Sequence, residues 1–119
     1  KKLMKGGEMM KVMKVTDMQA LGYFSLQVRK EKQKTLQDLA DLTQFSKSQL
    51  SNFETGKVVN PSLLFIEKLG NALEFQLSEM IYLLMQIREI MREVDEKQKG
   101  DDLVKERIKK LALAVSNIE

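Results

Sequence analysis

Ser48 and Asn52 stand one helical turn apart, as do Lys47 and Ser51, so a helix through this stretch gathers all four on adjoining strips of its surface. None is apolar, and each can touch a base edge or a phosphate. An Asn amide can bond in two places to the adenine edge in the major groove. A Lys ammonium reaches the guanine acceptors, and a Ser hydroxyl suits either. Ser48 and Asn52 are the leading candidates for base contacts, with Lys47 near the helix start for guanine or phosphate. Ser51 is a weaker candidate, since short hydroxyls are ordinary on helix surfaces. Each of these residues alone could belong to a solvated face; only the group carries the reading. Catalysis is not expected. The 119 residues include no His and no Cys, which removes imidazole acid–base work, thiol nucleophiles and the usual zinc ligand sets. GKVVNPS lacks nucleotide-loop spacing, and no plausible carboxylate pair can be named. No cofactor and no metal is expected.

The elements that must hold this surface lie between Thr35 and Gly56. Thr35 can cap one short helix, with Asp38 as a weak capping-box partner. Ser46 can cap a second, with Gln49 reaching back. Gln49 therefore has two readings, base contact or completion of the box. Leu39, Ala40, Phe45, Leu50 and Phe53 fall where two steeply crossing helices would bury them, and the small Ala40 permits close approach. Gly56 suits the left-handed position that ends a helix. Thr35, Gln37 and Ser46 are placed to bind backbone phosphates through hydroxyl, amide and helix N-terminal N–H groups.

From about Leu21 to Ile81 the chain resembles the Cro/C1-type helix-turn-helix family of phage and bacterial repressors. The residues that carry the resemblance are Leu21-Gly22, Arg29, the TLQDLA and SKSQLSNFETGK segments, Asn60–Ser62 and the apolar ladder ending at Leu77–Met80. The ETGKVVNPS connection is similar to that of SinR-like regulators of Gram-positive bacteria. The resemblance implies a reading helix at Ser46–Glu54, an Arg29 that braces the fold or touches phosphate, and a Lys57 that meets phosphate. Lys57 also suits the helix dipole with no DNA present. Three residues depart from the pattern. Gln44 replaces the corner Gly, at a cost of about 1 kcal/mol in a left-handed conformation. Thr43 replaces an apolar residue, and Leu36 replaces a phosphate-contacting Gln.

The net charge of +3 is unevenly placed. Residues 1–17 hold five Lys against Glu8 and Asp17, whereas basic and acidic side chains balance over 18–80 and over 81–119. Bulk charge is thus silent about nucleic acid, and few phosphate contacts imply a shallow salt dependence. The arm 1–17 reads as disordered, with EMMKVMKVT as a possible strand. KGGEMM is what a purine-rich ribosome-binding site followed by ATG codons would encode, so Met9 or Met10 is the expected natural start. No apolar run approaches the roughly 20 residues of a membrane span, and the expected location is cytoplasmic.

A first helix is predicted over Met18–Lys32, buried through Leu21, Phe24 and Val28. Ser62 caps a fourth, with Leu63, Ile66, Leu69 and Leu73 inward and Phe75 and Leu77 closing the core. The fifth runs on past the size of the DNA-binding unit: Leu77, Met80, Leu84, Ile87, Met91 and Val94 fill every a and d position. Ile81, Leu83, Met85 and Ile90 widen that stripe. Gly100 breaks the helix, Asp101 or Asp102 caps the next, and Val104, Ile108, Leu111, Val115 and Ile118 share its apolar face.

The expected fold is all-α: an arm (1–17), a five-helix lambda-repressor-like DNA-binding domain (18–82) and a helical dimerisation segment (83–119). Leu84, Ile87, Met91, Val94, Val104, Ile108, Leu111 and Val115 are the expected dimer interface. The alternative arrangement folds the hairpin back over the first four helices. The expected function is a transcriptional regulator, a repressor, that reads an inverted repeat in double-stranded DNA as a homodimer. A different class, an antitoxin or anti-repressor that binds a foreign protein through the Met80/Met85/Met91 stripe, stands beside it.

Overall fold

The computed structural model describes residues 16–96 and 101–117. The arm as far as residue 15, Gly100 and Ile118 lie outside them, and with them the expectations of disorder, a strand or a natural start in the arm. Among the described residues six helices follow one another: α1 (Asp17–Glu31), α2 (Leu36–Thr43), α3 (Lys47–Glu54), α4 (Leu63–Ala72), α5 (Leu77–Glu96) and α6 (Asp101–Ser116). The fold is all-helical, a helix-turn-helix unit with C-terminal helices.

Local chemistry explains the boundaries. Thr16, Thr35, Ser46 and Ser62 cap α1 to α4, each accepting a hydrogen bond from the backbone three residues on. Thr16 and Gln19 complete a capping box, which sets the start of α1 at Asp17 instead of Met18. Left-handed residues turn the chain after three helices: Gln33 after α1, Gln44 after α2 and Glu74 after α4.

A single core runs from Ala20 and Leu21 in α1 to Ile108 and Ala112 in α6. At its centre α1 crosses the end of α3 so closely that a Cβ on Gly22 would lie 2.0 Å from the carbonyl oxygen of Phe53. Phe65 of α4 stacks on Phe45 at 4.8 Å and meets Phe53 edge-on at 5.1 Å, tying the reading helix to α4. Leu63 does not join the buried stripe. It occupies the first turn of α4 and is exposed, while Ile66, Leu69, Ala72 and Leu73 face inward.

The hairpin α5–α6 folds back on the first helix, and α1 is the most extensive partner of α6. Met80, Leu83, Ile87, Ile90 and Val94 are buried along α5, and Val104, Ile108 and Ala112 along α6. Asp17 pairs with Arg88 and Glu93 with Arg107, linking α5 to α1 and to α6. Of the two arrangements open from sequence, this structure has the one in which the chain covers its own apolar face. Ile87, Val94, Val104 and Ile108, expected at a dimer interface, are buried within the single chain. Leu84, Met91, Leu111 and Val115 are half-buried against the same core. The heptad pattern records that a face is buried and is silent about what buries it.

Candidate nucleic-acid interface

Two reciprocal caps fix the helices that present the surface. The Thr35 hydroxyl accepts from Asp38 N–H at 3.0 Å, and the Asp38 carboxylate accepts from Thr35 N–H at 2.8 Å. Ser46 accepts from Gln49 N–H at 3.0 Å, and the Gln49 side-chain carbonyl accepts from Ser46 N–H at 2.9 Å. Gln49 therefore has its oxygen committed to the helix start, leaving only its NH2 for a base. A capping hydroxyl still has its own O–H to donate, so Thr35 and Ser46 can hold their helices and bond an outside phosphate oxygen together. The Gln37 amide donates to Asp41 at 2.9 Å on the exposed side of α2.

The Asp38 carboxyl is held below its ordinary value of 3.8, chiefly by the Thr35 backbone N–H and then by the Thr35 hydroxyl, with Lys34 adding a smaller attraction. A depressed folded-state pKa stabilises above the unfolded value and is lost as pH falls through the folded one. Acid unfolding should therefore steepen once the pH drops below about 3.8. The substitution Asp38→Asn should flatten that acid limb in a pH series of thermal melts.

The corner is built around the two unusual residues. Gln44 takes the left-handed conformation at φ 67°, its N–H bonding to Ala40 O at 2.8 Å and its side-chain amide to Asp41 O at 2.9 Å. Thr43 is buried, but its hydroxyl donates to Leu39 O at 2.7 Å and accepts from Phe45 N–H at 3.2 Å. Both of its polar needs are met, so it can stand where an apolar residue is usual.

Beyond α3 the chain closes in a Schellman motif: Lys57 N–H bonds to Asn52 O at 2.8 Å and Gly56 N–H to Phe53 O at 3.2 Å. Gly56 is left-handed at φ 81°, and Lys57 is exposed just past it. Gln19 reaches across from α1 and donates to Gly56 O at 2.9 Å. Arg29 fastens the same end of α3. Its Nε and one terminal nitrogen grip both oxygens of Glu54 at 2.7 and 3.1 Å, and the other nitrogen donates to Lys34 O at 2.9 Å. Of the two roles open to Arg29, bracing is the one this geometry displays, with three of its N–H groups engaged by Glu54 and Lys34 O. Gln19 and Glu54 are positioning residues that the sequence reading missed. Thr16 followed by Gln19 was a visible capping-box signal; nothing local marked Glu54.

Lys47 and Ser48 are exposed, and Ser51 and Asn52 half-buried, on the outer surface of α3. No side-chain bond or ion pair within the described residues involves Lys47, Ser48 or Asn52, whereas most neighbouring polar groups are engaged. Among the described residues no group of three or more acidic side chains could hold a metal ion. No described helix is long and apolar enough to cross a membrane.

A capped, polar-faced helix set across a second short helix and locked from behind by α1 defines a helix-turn-helix DNA-binding unit. Residues 26–80 match the helix-turn-helix family model. Those residues accordingly form a Cro/C1-type helix-turn-helix domain, the kind that DNA-binding transcription regulators carry. No curated protein and no solved structure matches the chain.

Proposed function

We propose that the chain is a sequence-specific repressor that reads an inverted-repeat operator as a homodimer, in the bacterial cytoplasm. The observation that carries this reading is the uncommitted Lys47–Ser48–Asn52 surface: polar, outward and backed by a rigid frame. Lys47, Ser48, Ser51 and Asn52 face base edges, with the free amide of Gln49 beside them. Thr35, Gln37, Ser46 and Lys57 meet phosphates. Selection of random duplexes on the protein should return a defined site. Asn52→Ala and Ser48→Ala should each then lose about 1–3 kcal/mol at particular base pairs, as true readers do. Uniform losses across all sequences would remove the base-reading assignment.

Two-fold pairing would set the reading helices about 34–36 Å apart, one turn of B-DNA. With the inner stripe of α5 covered by the chain itself, the proposed contact moves to its outer face. Ile81, Tyr82 and Met85 lie there within little more than one turn and are 45%, 61% and 60% exposed. Met85→Glu should convert a dimer to a monomer in sedimentation at micromolar concentration. A native chain that already sediments as a monomer would favour the second reading, in which the same strip takes a foreign protein.

A further inference from the structure

On the side of the molecule behind the reading surface, α1, the end of α3 and α6 enclose a groove of about 300 Å3. Its walls are mostly apolar: Ala20, Tyr23 and Leu26 from α1 face Val104 and Ile108 from α6. That volume is at the small end of ligand pockets, which span roughly 300–1,000 Å3.

The polar groups in the groove are unequally committed. Glu54 is its one acid, and Arg29 holds both carboxylate oxygens. Gln19 is spent at both ends, its oxygen on Thr16 N–H and its nitrogen on Gly56 O. Lys105 is different. Its ammonium lies 5.6 Å from the centre of the Tyr23 ring and has no carboxylate partner among the described residues. The Tyr23 hydroxyl likewise makes no hydrogen bond there. The groove thus joins an apolar trough to one cation and one hydroxyl donor that no described residue pairs.

We propose that this groove binds a small organic anion with an apolar body, a medium-chain or aryl carboxylate. The hydrocarbon lies between α1 and α6, and the carboxylate meets Lys105 and the Tyr23 hydroxyl. Thr55 and Gly56 form part of the wall, so the ligand touches the cap that ends the reading helix. Occupancy and DNA affinity are therefore coupled, each altering the other by the same factor. The site itself stands independently of DNA; only this coupling rests on the proposed function.

The test is a titration of the full chain with octanoate, followed through the methyl resonances of Ala20, Val104 and Ile108. Saturating shifts are expected at those methyls, with 1-octanol and octylamine binding more weakly. Lys105→Ala, a change on an exposed side chain, should weaken octanoate about tenfold, the effect of losing roughly 1.4 kcal/mol, while leaving octanol unchanged. No saturation at millimolar octanoate would overturn the site. Equal binding of octylamine would overturn the anion assignment, and shifts confined to Ile81 and Met85 would overturn the site. Saturation at the groove with an unchanged DNA Kd, measured on the selected duplex, would overturn the coupling alone.

Discussion

Arg29→Ala should lower the stability of the fold by about 3–5 kcal/mol, the usual cost of removing one member of a buried ion pair. The side chains of Arg29 and Glu54 are only 13% and 5% exposed, so solvent does little to screen the loss. Without the guanidinium, the Glu54 carboxylate behind α3 loses its ion-pair partner. Lys34 O, at the entry to α2, loses its donor as well. One side chain thus ties the start of α2 to the end of α3, and its removal should loosen the pair together. Total stabilities of about 5–15 kcal/mol make this a large fraction.

Urea unfolding measures that loss, and Arg29→Met with Glu54→Leu should recover much of it, because no charge is then stranded. A second measurement separates bracing from phosphate contact. Losing a phosphate contact lowers the salt slope of DNA binding by about one. Arg29→Ala, studied where it remains folded, should leave that slope unchanged, whereas Lys57→Ala should reduce it.

The readable and unreadable parts of this fold divide by distance along the chain. Thr35, Ser46, Ser62 and Gly56 act on residues within a turn of themselves, so their chemistry is visible in a short window. Gln44 was placed by position at the corner, and the structure supplies the compensation: a side-chain amide that bonds back to Asp41 O. Arg29 with Glu54 and Gln19 with Gly56 are separated by 25 and 37 residues. No local pattern encodes such a pairing. Resemblance gives Arg29 two roles, and only the geometry shows which residues it braces.

The same limit applies to the C-terminal helices. Ile87, Val94 and Ile108 were legible as buried, since apolar periodicity marks a face that must leave water. Whether α1 or a second chain covers it depends on how the hairpin returns, and periodicity does not contain that direction. Leu63 shows the converse error. It continues the apolar spacing of α4, yet the first turn of that helix projects past the core, so pattern alone overestimates its burial.

Gly22→Ala should be far more damaging than its single added carbon suggests. In an open helix the change would be favourable by roughly 0.8–1.0 kcal/mol, since Ala is the better helix former. Here the added carbon would lie 2.0 Å from Phe53 O and 3.0 Å from the Phe53 carbonyl carbon. Both obstacles are backbone, so no rotamer change relieves them, and α1 must separate from α3. Forced overpacking costs about 1–3 kcal/mol, occasionally more, and this contact belongs at or above the upper end.

Separation would also strain Gln19–Gly56 and Arg29–Glu54, which span the same gap between α1 and α3. The reading helix would lose its backing at the end that carries Asn52. A control is available within the chain. A Cβ on Gly70 would meet Met80 Cγ at 2.5 Å and Phe75 O at 3.3 Å, and an unbranched Met side chain can give way. Thermal melts should therefore rank Gly22→Ala well below Gly70→Ala, and only the former should weaken DNA binding in its folded state. Equal tolerance at the two positions would mean that the approach of α1 to α3 does not set where the reading helix sits.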